Sequence, residues 1–191
     1  MKCASLVLAV ALAASSALFA GCAAETEQPA DGTAEEDVTA ATDTKVKNAI
    51  VKTTTGVSFL SESDHPLVWV RSSAVSSTPA NAAAIHHYFS SVTDGDAMAD
   101  KPLSKMKSET VAFETFASRY VPVAGEDADN FAYHQQMTKI LNAVRTGLKN
   151  PVVIRLGRPQ GNNLVGAISV YIVGTLPSGK IGGLFTVAVE T

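Results

Sequence analysis

The sequence has two cysteines in 191 residues, Cys3 and Cys22, and both fall within its first two dozen positions. Whatever folds beyond them has no disulfide and no thiolate metal centre, so it must be held by its core. Histidine is scarce as well: His65, His86, His87 and His134 are the full set, and no His-Glu-x-x-His pair occurs. The neighbours His86 and His87 cannot meet one ion from a helix, because adjacent side chains diverge by about 100°. Neither a phosphate-cradling glycine loop nor a nucleophile-elbow pentapeptide is present. Glu62, Glu109 and Glu114 have no spacing that demands a carboxylate pair. These absences predict a protein that is not an enzyme and uses no cofactor.

Between Ala23 and Asp43 there is no lysine or arginine, while seven acids are spread among Ala, Thr, Gly and Pro. Such a stretch buries too little apolar area to offset its ordering entropy, and its charges repel, so residues 22–43 read as an acidic, disordered tether. From Thr44 onward the balance reverses to 14 basic against 11 acidic side chains. That excess is small and no Arg/Lys run alternates with aromatics, so direct nucleic-acid binding is not expected.

Ahead of the tether, Lys2 and the apolar run Leu6 to Ala20 have the make-up of a secretory signal, too short to span a bilayer permanently. The run closes on "LFAGC", similar to a bacterial lipobox, with Ala20-Gly21 before Cys22 and Phe19 where leucine is usual. Two outcomes stay open: lipidation of Cys22, which would make residues 1–21 a lipoprotein signal peptide, or cleavage after Ala24 with Cys22 lost. The expected location is exported in both cases. With lipidation it is membrane-anchored, periplasmic or at the cell surface.

Residues 44–191 make one domain. Val46, Ala49, Ile50 and Thr53 recur at helical spacing and Gly56 suits a left-handed stop, so Thr44 to Thr55 is a short helix. "SESDHP" is a turn, because Pro66 forbids a helix through it, and it leads into a strand from Leu67 to Arg71. Pro79 opens a helix reaching Phe89, Thr93 to Lys107 is a connection, and "ETVAFETFASRY" is a strand turning into a short helix. The clearest helix carries the stripe Phe131, His134, Met137, Ile140, Leu141, Val144 and Leu148, with acids at its start and Arg145 and Lys149 at its end.

After Pro151 the period changes to that of strands at Val152 to Leu156, Ala167 to Thr175 and Ile181 to Glu190, the last two joined by the turn "LPSGK". Ile168, Val170 and Ile172 on one side and Ala167, Tyr171 and Val173 on the other are all apolar, so that strand needs cover on both faces. The predicted fold is α+β, a three-layer α/β/α sandwich around a largely antiparallel sheet.

"SFLSESDHP", "VRTGLKNPVVIRLG" and "VYIVGTLPSGKIGGLFTVAVET" together resemble the nuclease A inhibitor family, over about Thr44 to Thr191 and most closely in the C-terminal third. The resemblance implies a fold similar to the plant pathogenesis-related-1 proteins. It implies a partner as well: a sugar-nonspecific, magnesium-dependent endonuclease of the ββα-metal type, whose active site is blocked. By that resemblance Glu62, in the "SES" turn, meets an arginine of the nuclease, and the terminal Thr191 reaches its magnesium, with Glu190 as understudy. Thr191 would thus touch a metal belonging to the partner only. The loop "VPVAGEDADN" lacks the aromatic anchor the family implies there. The alternative reading is an exported lipoprotein binding module of the same fold, with a structural or small-ligand role.

Overall fold

The computed structural model describes residues 33–90 and 101–191. The expected signal segment, Cys22 and the first part of the expected tether lie outside the described residues, as does most of the connection after Thr93. Among the described residues no helix is long and apolar enough to cross a membrane.

The first helix, α1, spans Thr33–Thr54 and gives way at Gly56, whose φ of +73° is the left-handed conformation glycine adopts without strain. It begins eleven residues earlier than the sequence predicts, so the expected tether of residues 22–43 is corrected: its end, residues 33–43, is helical. The reason is a tertiary contact. Asp43 is 2% exposed, and its carboxylate accepts from Ser178 N at 3.2 Å and Ser178 Oγ at 2.6 Å and pairs with Arg71 at 3.1 Å. Composition counts Asp43 as one more repelling acid, whereas the fold gives it a cation and two donors.

Two short strands, β1 (Ser58–Phe59) and β2 (His65–Pro66), pair antiparallel and hold the "LSESD" turn between them. Strand β3 (Val68–Val75) follows, then helix α2 (Ala82–Phe89), which starts as Asn81 Oδ1 accepts from Ala84 N at 3.0 Å. Strand β4 (Lys107–Ala112) runs directly into the five-residue helix α3 (Phe113–Ala117). Helix α4 (Ala128–Gly147) is capped by Asp127, which accepts from the N–H groups of Asp129 and Asn130. The chain ends in three long strands, β5 (Lys149–Gln160), β6 (Asn163–Thr175) and β7 (Lys180–Glu190), joined by tight turns.

The five longer strands form one sheet in the order β3-β7-β6-β5-β4, with every neighbouring pair antiparallel. Its faces feed two core clusters. Ile168, Val170 and Ile172 pack with Ile50 of α1, Phe116 of α3 and Met137, Ile140 and Val144 of α4. Tyr171 and Val173 pack on the other side with Ile85 and Phe89 of α2. The strand predicted to need cover on both faces has it. The α4 stripe is narrower than its spacing suggests, since Phe131 is 38% exposed and His134 turns its ring to Glu126, at 3.0 Å.

Strand β7 lies second from the sheet edge and is buried continuously from Ile181 to Ala188 before Glu190 and Thr191 emerge into solvent. Eight consecutive buried residues, each large apolar one contributing about 1.5–3 kcal/mol, make a stem that does not fray. At Gly183 the two strands close so tightly that a Cβ would sit 2.2 Å from the Ile172 carbonyl oxygen.

Candidate functional site

On one flank β7 is paired with β6 to its last residue, Gly166 lying opposite Glu190. On the other flank β3 stops early: its first residue, Val68, pairs with Phe185, which leaves the backbone of residues 186–190 without a strand. The β1–β2 turn fills that gap. Val189 N donates to Ser61 Oγ at 3.1 Å, Glu62 N donates to the Val189 carbonyl at 3.4 Å, and Thr186 Oγ1 donates to the His65 carbonyl at 3.4 Å. Ser61 Oγ also donates to the Ser63 carbonyl at 2.6 Å, so one hydroxyl both shapes the turn and docks it on the terminal strand. The turn is fixed from behind as well, Leu60 N donating to the Tyr133 hydroxyl at 3.1 Å.

This docking brings the two ends of the domain together. Thr191 Oγ1 donates to Glu62 Oε1 at 2.7 Å across 129 positions of sequence. Both residues are exposed, and with Glu190 they form the rim of a cavity of about 530 Å³ whose wall includes Phe59, Tyr120 and Arg155. Arg155 reaches from β5 to two carboxylates: its Nη1 donates to Glu109 Oε2 at 2.9 Å, and its Nη2 pairs with Glu190 Oε1. Burial drives the Tyr120 hydroxyl far above its ordinary range, and burial raises Tyr133 too. Both rings stay neutral supports. The exposed tip presents side-chain oxygens, the Glu62 carboxylate and the Thr191 hydroxyl. Hard oxygen ligands suit a divalent cation or a guanidinium. Among the described residues no cluster of three His, Cys, Asp or Glu side chains could hold a metal ion of the protein's own.

The model of the nuclease A inhibitor-like protein family matches residues 44–191. The chain belongs to that family. No curated protein matches it. Membership in the nuclease A inhibitor-like family points to the role of a nuclease inhibitor with a nuclease for a partner, and away from an enzyme.

Of the residues singled out in the sequence, the structure brings Glu62 and Thr191 into contact and places Glu190 beside them, with its carboxylate held by Arg155. The other acids separate: Glu109 joins the Arg155 bridge, whereas Glu114 makes a two-pronged pair with Arg145 at 2.9 and 2.7 Å. Sequence reasoning missed Arg155, and a signal was available, since "VVIRLG" sets one charge in the middle of an apolar strand. The turn expected at "SESDHP" is closed by bonds between Ser61 and Ser63, and the decisive bond from Val189 N to Ser61 Oγ is one that no local spacing foretells.

Proposed function

We propose that the protein inhibits a sugar-nonspecific, magnesium-dependent endonuclease by inserting its C-terminal tip into the active site. The observation that carries this reading is the 2.7 Å contact between Thr191 and Glu62 at the end of the buried β7 stem. A nuclease pocket presents a hard cation and basic groups that await phosphate. An oxygen of Thr191 can take the place on magnesium that water or a phosphate oxygen otherwise fills, and Glu62 can offer an arginine the two-point contact a phosphate would give. Glu190 adds negative charge to the tip through the carboxylate oxygen that Arg155 does not hold. The pairing of a few aimed oxygens with a mildly basic domain favours a plug over broad mimicry of DNA.

The same reading takes the fold as a three-layer, pathogenesis-related-1-like sandwich, which the helical side chains in both core clusters support. It also takes the protein as exported and anchored through lipidated Cys22, on the strength of the "LFAGC" motif. Two acyl chains on that cysteine would anchor it stably where one would not.

The test is inhibition of a magnesium-dependent nonspecific endonuclease by the full chain with a free C-terminus, compared with a chain extended beyond Thr191 by a short tag. The extension is expected to weaken inhibition by about tenfold or more, as loss of a central anchor does. Equal inhibition by both proteins overturns the plug, and absence of inhibition by either favours a binding module of the same fold. Glu62→Gln is expected to weaken inhibition with the melting temperature unchanged. Incorporation of labelled fatty acid into the parent and not into Cys22→Ser checks the anchor.

A further inference from the structure

We propose that Arg155 is a positioning residue for the inhibitory terminus, an inference that rests on the tip being the part that enters the nuclease. Arg155 stands on β5 between Ile154 and Leu156, both fully buried, and its own side chain is only 18% exposed. It faces the cluster that contains Val153, at the rim where that cluster meets the tip cavity. Glu109 lies directly opposite it on β4, in register, and receives Nη1 at 2.9 Å. Lys107, 3.6 Å from the other oxygen of Glu109, keeps that carboxylate from drifting toward the guanidinium's second prong. Nη2 is thereby left for Glu190, the last residue of β7, and the fork spans from β4 to β7 over β6.

The tie falls where the stem ceases to be buried. Beyond Ala188 the strand keeps its pairing with β6 and the Ser61 and Glu62 contacts to Val189, but no core burial holds Glu190 or Thr191. A side-chain tether on Glu190 fixes the residue immediately before the terminal threonine. It also sets one positive charge between Glu109 and Glu190, whose mutual repulsion would otherwise push the end of β7 away. A planar fork with two separate N–H directions is required. Lysine, a single point charge, can satisfy one carboxylate well but not both.

The experiment uses the full chain and the variants Arg155→Gln, Arg155→Lys and Glu190→Gln, each also made in a chain that lacks Glu190 and Thr191 where the position survives. Backbone ¹⁵N relaxation is read at Thr191, and inhibition of a magnesium-dependent nonspecific endonuclease is titrated in parallel. Arg155→Gln is expected to mobilise Thr191 while the β5 and β6 amides keep their order, and to weaken inhibition about tenfold. Arg155→Lys recovers part of both losses, and Glu190→Gln reproduces the mobilisation from the other end of the tie, without touching the Arg155–Glu109 pair. In the chain without the last two residues, Arg155→Gln causes no further loss of inhibition. Unchanged order at Thr191 in both Arg155→Gln and Glu190→Gln overturns the proposal, as does an equal loss in the shortened chain. If the parent inhibits no such nuclease, the plug reading falls, and the relaxation data still decide whether Arg155 positions the terminus.

Discussion

Asp43 shows how much one side chain depends on its partners. A carboxylate 2% exposed would be costly alone, and here it has two donors from Ser178 and the Arg71 guanidinium. Asp43→Ala leaves the Ser178 N–H and Arg71 without their acceptor, and is expected to cost about 1–3 kcal/mol in urea unfolding. Tyr171 is the opposite case. Its ring stacks 5.9 Å from Phe89 in the core, but its hydroxyl is sealed without a bonding partner among the described residues, as is the Ser169 hydroxyl two positions back on the same face. Burial pushes that phenol far above its usual range. Tyr171→Phe keeps the packing and removes the unsatisfied oxygen, so it is expected to raise stability by about 1 kcal/mol in the same assay.

The elements differ in how plainly the sequence announces them. Helix α4 was legible because a stripe, an acidic start and a basic end agree, and the long strands because both alternating sets of β6 and β7 are apolar. The true start of α1 was not, since what holds its first half is a bond from Asp43 to a turn 135 positions away. The candidate site was half legible: Glu62 and Thr191 stand in recognisable segments, but their contact depends on β3 ending early and the β1–β2 turn filling the open edge. The cap of α4 permits a check by pH. The hydrogen bond from Asn130 N, together with the Asn130 side chain and Asp129 N, holds the Asp127 carboxyl below its ordinary value of 3.8 against a smaller desolvation effect. A depressed folded value means the contribution is complete above 3.8 and is lost as the pH falls through the lower folded value. The difference in melting temperature between the parent and Asp127→Ala is therefore expected to be largest near neutrality and to shrink on acidification. Gly183→Ala tests the sheet itself: with φ of +152° and a carbonyl 2.2 Å from the new Cβ, it must force β6 and β7 apart, at about 3 kcal/mol or more.

At the scale of the molecule, β7 joins two different jobs. Its start follows the turn that contains Ser178, where Asp43 latches α1, and its end carries the Thr191 tip. Ten residue steps along a strand separate Lys180 from Glu190, a distance of about 30 Å. Stability and inhibition should therefore separate in truncations at the N-terminal side. A chain beginning at Thr44 covers the whole of the family match but lacks Asp43 and the first half of α1. Arg71 and Ser178 then lose their acceptor, and the melting temperature is expected to fall by about 4–8 °C relative to a chain beginning at Asp31, the change that ~2 kcal/mol makes in a domain of this size. Nuclease inhibition at a temperature where both chains are folded is expected to be equal, because the Ser61, Tyr133 and Arg155 contacts that hold the tip arise from elements the truncation leaves whole. A loss of inhibition without loss of folded protein would show that strain at the Asp43 latch travels the length of β7 to the tip, and the stem would then be a lever between the two ends.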